Sequence, residues 1–300
     1  MKGKSMKRKS WNFRKAENFF GYIFLSPWLF GLFFFGLFPL AFSFLLCFLD
    51  WDLMTLPKFV GVENFKWLMG DHYFIRALIN TFYYASFVPI SVFVSLVIAV
   101  MMNRNRKIYD ILRVIYFLPS IVPAAANAVV WVWLLHPDCG IVNYVLWELF
   151  HIKGPNWSDP SWTIPSFVIM SAWGSIGYNV VLFTAGLKSI DRTIYEAAMI
   201  DGATPKEMFF KITLPLISPT TFFVTVTSFI WSFQVFDISY MSTNGRPNDH
   251  SITIVYYIYQ NAFQYFKIGK AAVIAWMLAA IIFIITYVQF KLEKRLVFYQ

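Results

Sequence analysis

A chain of 300 residues that is 58% hydrophobic and only 14% charged does not have the composition of a water-solvated domain, in which about a quarter of residues carry charge. The formal charge of +9 raises a nucleic-acid partner, but the basic residues lie between apolar runs and not along one face, which leaves that reading weak. Two cysteines and four histidines without ligand spacing exclude a disulfide framework and a metal cluster.

The chain opens on a basic stretch, Lys2 to Lys15, within residues 1–18, and an apolar run from Phe19 to Leu49 follows. At about 30 residues the run is too long for a signal-peptide core, which takes roughly 7 to 15. Leu46, before Cys47, is too large for a lipoprotein cleavage site. The run is therefore expected to be an uncleaved first span. A bilayer core of about 30 Å takes about 20 apolar residues per helix. Six stretches qualify: 19–46, 77–102, 109–135, 164–187, 216–241 and 268–290. The expected fold class is all-α, a polytopic membrane protein with six transmembrane helices. Residues 19–300 form a single transmembrane domain with its core over about 77–290.

Lys and Arg accumulate on the cytoplasmic side of a span. Eighteen of the 25 fall in the N-terminus, in 103–113, in 188–211 and after Phe290. Both termini are thus expected in the cytoplasm. The outer loops 47–76, 136–163 and 242–267 are large enough to touch a partner and too short to fold alone. Trp51, Trp67, Trp157 and Trp162 cluster there, as interfacial anchors do. Cys47 and Cys139 also fall near outer ends of spans; packed thiols are expected in preference to a bridge.

Between the fourth and fifth spans, residues 188–215 are amphipathic. Asp191 is placed to cap a helix that Gly202 ends, with Ile194, Ala197, Ala198 and Ile200 as its apolar stripe. Thr204, Pro205 and Glu207 then read as a capping box opening a second helix, with Met208, Phe209 and Ile212 on its apolar side. Two helices joined by a Gly turn make a knob suited to docking.

The spacing Glu196-Ala197-Ala198, three residues, Gly202, nine residues, Ile212-x-Leu214-Pro215 resembles the EAA loop of binding-protein-dependent ABC importer permeases. The likeness extends over Leu187 to Pro219, including Asp201, and over Phe233-Gln234-Val235-Phe236-Asp237, Leu25-Ser26-Pro27 and Leu118-Pro119. These stretches are similar to sugar-importer permeases of the maltose and glycerol-phosphate type. Asn244-Gly245-Arg246-Pro247 departs from the more usual Gly-Gly-Pro turn.

The resemblance implies a type I ABC importer permease fold with 188–215 as the coupling loop to an ATPase. It implies a second permease subunit, expected to be a different chain, two ATPase subunits and an extracytoplasmic solute-binding protein. ATP and Mg2+ would reside on the ATPase, and no cofactor on this chain. Glu196 is the expected polar contact to an Arg of the ATPase, and the flanking alanines permit close approach. Alone, an exposed glutamate would be a solvated helix face worth about 0 to 1 kcal/mol.

Polar groups at membrane depth are costly and mark pathways. Gln234, Asp237, Asn179, Asn127 and Ser175 are the candidates, with Trp173, Tyr178, Trp231 and Phe236 as aromatic platforms for a sugar. Gln234 and Asp237 are expected to share one cavity at the outer end of the fifth span. The expected cargo is a carbohydrate, an oligosaccharide in particular, with glycerol phosphate or a polyol as the alternative. An ion-coupled secondary transporter is the rival class; it calls for coupling groups at the midplane and an inverted repeat. The sequence shows no such repeat, no P-loop and no catalytic motif.

Overall fold

The computed structural model describes residues 6–103, 107–243 and 248–298. The turn at 244–247, where the sequence departs from the family pattern, lies outside them.

Four helical stretches are long and apolar enough to cross a membrane, and two bent pairs bring the number to six. The first runs through Met6–Gly31, a wide turn at Leu32–Leu37 and Phe38–Leu46. Its apolar window is wholly unburied by the rest of the chain. Among the described residues its outer end is held, where Phe44 meets Trp276 edge-on at 5.0 Å and the Trp276 indole donates to Ser43 Oγ at 3.2 Å.

The second span, His72–Tyr84 and Phe87–Met102, and the fourth, Thr163–Ser189, form the inner core. Val88, Ser91, Val92, Ser95 and Ala99 are buried at the three- and four-residue spacing of one helix face. Phe167, Met170, Val180, Phe183 and Leu187 share the core with them. Small residues let the backbones close up: a Cβ on Gly177 would collide with the Tyr116 carbonyl of the third span.

Two spans differ from the sequence expectation. The third is not one rod over 109–135. Lys107–Ile121 and Ala124–Leu134 meet at 105°, because Pro123 offers no N–H and drives Val122 out of the helical region. The fifth does not continue from 216 to 241. Ser218–Phe233 ends at Gln234, and a separate helix, Asp237–Thr243, follows. Ile268–Leu296, the sixth span, runs past 290 toward the C-terminus.

Outside the spans, Leu49–Asp50 pairs antiparallel with Lys58–Phe59, Leu49 opposite Phe59. A second core joins Phe74, Ala77 and Phe233 to Ile254, Tyr256, Val273 and Ile274. Buried amides pin the loops over it: Asn64 Nδ2 donates to the Cys47 and Leu49 carbonyls at 3.0 Å each, and Asn80 Nδ2 to Ile252 O at 3.0 Å. Trp157 is not the interfacial anchor its position in the sequence suggested. It is 8% exposed, and its indole donates to Asn143 Oδ1 at 2.8 Å, because the loop folds back over the span and gives its N–H a partner. Both cysteines are free, Cys47 buried and Cys139 exposed.

Candidate functional site: coupling segment and cavity

The segment after the fourth span is built by local signals. Asp191 accepts from Thr193 N at 2.9 Å and caps Arg192–Ile200. That backbone N–H holds the Asp191 carboxyl below the usual carboxylate range. Gly202 sits at φ +77°, in the left-handed region where a Cβ is penalised. Its N–H donates to Met199 O at 3.1 Å and the Ala203 N–H to Ala198 O at 2.9 Å, which closes the helix in a Schellman turn.

Thr204 then opens Pro205–Met208 with both halves of a capping box. The Glu207 N–H donates to Thr204 Oγ1 at 3.3 Å, and the Thr204 N–H to Glu207 Oε2 at 3.0 Å. The Thr204 N–H and hydroxyl, together with Lys211, pull the Glu207 carboxyl down to about 2. A wide turn at Phe209–Thr213 and the short Leu214–Leu216 lead into the fifth span, which leaves at 59°. The two arms are tied by the Tyr195 hydroxyl and Thr213 Oγ1, 3.0 Å apart.

The helix presents a different stripe from the one its sequence suggests. Ile194, Tyr195 and Ala198 face inward, the first two packing on the inner core. Ala197 and Ile200 face out, Ile200 at 87% exposure. At about 100° per residue, Ala198 follows Ile194 on one face, while Thr193, Glu196, Ala197 and Ile200 share the opposite one. All four of the latter are exposed. Glu196 already has an ion-pair partner in Arg192 Nε at 3.1 Å, and both side chains are mostly in solvent. Asp201 and Gly202 are exposed, Ile212 and Pro215 half-buried, and Leu214 is on the border at 37%.

A half-open cavity of about 390 Å³ lies between the second, fourth and fifth spans, lined by Phe87, Ser175, Tyr178, Asn179, Thr227, Ser228 and Trp231. Four of these were expected to line a pathway: Ser175, Tyr178, Asn179 and Trp231. Asn179 is 2% exposed, and its Nδ2 has no hydrogen-bond partner among the described residues. An unpaired buried amide costs about 1–3 kcal/mol. The hydroxyls beside it are engaged with backbone: Ser175 Oγ donates to Ala172 O at 3.1 Å and Thr227 Oγ1 to Phe223 O at 2.8 Å.

The other candidates lie elsewhere. Trp173 points to the third span, edge-on to Trp131 at 6.5 Å, and Asn127 approaches the same side, next to Gly174. Gln234 caps the end of the fifth helix and Asp237 starts the next; both are exposed, and neither lines the cavity. Phe236 stacks with Tyr240 at 5.3 Å, in an outer aromatic cluster with Tyr256 and Tyr259. Sequence reading missed Phe87, Thr227 and Ser228. Thr227 and Ser228 stand four and three residues before Trp231, on its helix face, a signal that was present.

Four apolar spans, or six with the bent pairs, a short amphipathic knob and an uncharged, half-open cavity are the features of a polytopic transport subunit. The chain belongs to the family of binding-protein-dependent transport system inner membrane components, whose model matches residues 91–298. Over 304 aligned residues it is 34% identical to the probable ABC transporter permease protein YesP of Bacillus subtilis (strain 168), covering 99% of this chain and 97% of that one. It is 34% identical over 251 residues to the sn-glycerol-3-phosphate transport system permease protein UgpA of Yersinia enterocolitica, covering 81% of this chain and 83% of the relative. The fold is that of a chain in a crystal structure of a bacterial ABC transporter involved in import of the acidic polysaccharide alginate. There the TM-score is 0.79 at 22% identity, with 96% of this chain and 99% of that one covered. The chain is therefore a multi-pass permease subunit of the ABC importer type.

Proposed function

We propose that this chain is one of two permease subunits of an ATP-driven importer in a bacterial cytoplasmic membrane, and that it moves a neutral carbohydrate, an oligosaccharide, by alternating access. The observation that carries the cargo is the cavity around Asn179. Its lining includes hydroxyls, an amide, Phe87, Tyr178 and Trp231, and no Lys, Arg, Asp or Glu. An aromatic face for the sugar ring and an amide donor for its hydroxyl are what a neutral polyol needs. A phosphate calls for a cation at hand. The relatives named for glycerol phosphate keep that cargo as the second reading.

The outward face of Arg192–Ile200 is the seat for the ATPase. Ile200 and Ala197 supply its apolar centre and Glu196 its charge, while Ile194, Tyr195 and Thr213 fix the knob to the spans so that it moves as a rigid body. ATP and Mg2+ are bound by that separate pair of subunits, and a solute-binding protein delivers the cargo to the outer loops. The basic ends face the cytoplasm.

The test uses the reconstituted complex of permease pair, ATPase and binding protein. Asn179→Leu is expected to abolish sugar uptake while basal ATP hydrolysis persists. Glu196→Lys is expected to leave sugar binding intact and to remove sugar-stimulated hydrolysis. Unaltered oligosaccharide uptake in Asn179→Leu, or uptake inhibited by glycerol phosphate and not by oligosaccharide, overturns the cargo assignment.

A further inference from the structure

A second space of about 420 Å³ lies at the opposite end of the fifth span from Gln234. Its walls are Pro215, Ser218, Phe222 and Thr225 on one side and Val297 and Phe298 on the other. The C-terminal tail forms one wall of it: the Phe298 N–H donates to Ser218 Oγ at 2.9 Å, and Phe290 meets Phe222 edge-on at 5.4 Å. The hydroxyls in the wall are spent on their own helix, Ser218 on Pro215 O at 2.6 Å and Thr225 on Thr221 O at 2.7 Å. The groove therefore offers an apolar surface with few free hydrogen-bonding groups. From Ser218 to Thr225 it runs about 10 Å along the helix, into the apolar part of the span.

The helix end leading to the groove's Val297–Phe298 wall is positive. Lys291, Lys294 and Arg295 are exposed on the last turns of the sixth span. Lys294 lies four residues past Phe290, hence on the same helix face, the face that meets Phe222. Glu293 is half-buried beside it, so the three cations leave a net charge of two. Basic side chains at the cytoplasmic end of a groove between spans favour an anionic lipid headgroup.

We propose that this groove holds an anionic phospholipid of the cytoplasmic leaflet, with its acyl chain along Ser218–Thr225 and its phosphate at Lys294 and Arg295. The proposal rests on the membrane orientation given above and is independent of the cargo. The ligand sits at the joint where the coupling segment turns into the fifth span.

The test is photolabelling of the transporter complex in vesicles with phosphatidylglycerol or phosphatidylcholine bearing a diazirine in the acyl chain, mapped by mass spectrometry. Two basic groups at a membrane surface, at about 1 kcal/mol each, are expected to make labelling of 214–225 by phosphatidylglycerol about thirtyfold stronger than by phosphatidylcholine. The double variant Lys294→Gln, Arg295→Gln should bring that ratio near one, with labelling of the exposed first span unchanged. The proposal fails if the native chain shows no headgroup preference, or if the double variant keeps it. It fails equally if neither lipid labels 214–225 while both label 19–46, since a protein partner then fills the groove.

Discussion

The coupling segment and the cavity are opposite kinds of site. The coupling segment is a contiguous run of about 28 residues in which each turn is set by a neighbour in sequence: Asp191 by Thr193, Gly202 by Met199, Thr204 by Glu207. The cavity draws residues from three spans, with Phe87 and Trp231 at its sequence extremes, and exists only once the helices have packed. The first is rigid by local chemistry and exposed by design; the second is formed by long-range packing and leaves Asn179 unpaired. The proposed function uses both, a stiff knob to transmit force and a cavity with an unsatisfied amide to meet a cargo.

The largest expected effect falls on the cavity side. Gly177→Leu drives a side chain into the Tyr116 backbone and should destabilise the third and fourth spans by about 3 kcal/mol. The apparent melting temperature of the purified complex should drop, and sugar binding with it. Retention of both temperature and binding would show that the helices have room to spare.

Gly202→Val comes next. At φ +77° a β-branched side chain costs about 1–3 kcal/mol. The expected result is loss of sugar-stimulated ATP hydrolysis with sugar binding intact, the reverse of Gly177→Leu. Equal loss of both activities would mean that the two sites are not separable.

The smallest effect is that of the cap. Thr204→Ala should cost about 1 kcal/mol, read as faster amide hydrogen exchange over 205–213. Because the folded chain holds Glu207 at about 2 against an ordinary 4.5, its contribution is present above pH 4.5 and disappears as the pH falls toward 2. Exchange in the native segment should therefore accelerate on going from pH 5 to pH 3 beyond the intrinsic rate, and Glu207→Gln should flatten that change.

What was legible in the sequence follows the same division. The caps, the Gly turn and the motif spacing of 188–215 depend on residues within a few positions of each other, so pattern alone locates them. The buried stripe of Arg192–Ile200 differs from the apolar pattern because Ala197 and Ile200 are apolar residues whose helix phase turns them outward. The bend at Pro123 could have been read from the proline. The end of the helix at Phe233 could not, since Gln234-Val235-Phe236 contains no glycine or proline to announce it. Asp237 was thus assigned to a span it does not occupy. Asn179 was recognisable as a polar residue at depth, but its lack of a partner is a property of the packing.

The early end of the fifth helix has a consequence for solvation. Sixteen residues, Ser218–Phe233, make a rod of about 24 Å, shorter than the roughly 30 Å of hydrocarbon in a bilayer. Its last turn keeps one backbone bond, from the Gln234 N–H to Trp231 O at 3.1 Å, and in lipid each carbonyl left over would cost several kcal/mol. The strip at Gln234–Phe236 must therefore border water or protein and not acyl chains, and both Gln234 and Asp237 are exposed there. Permittivity then changes along the route, high beside this broken end and low around the buried Asn179.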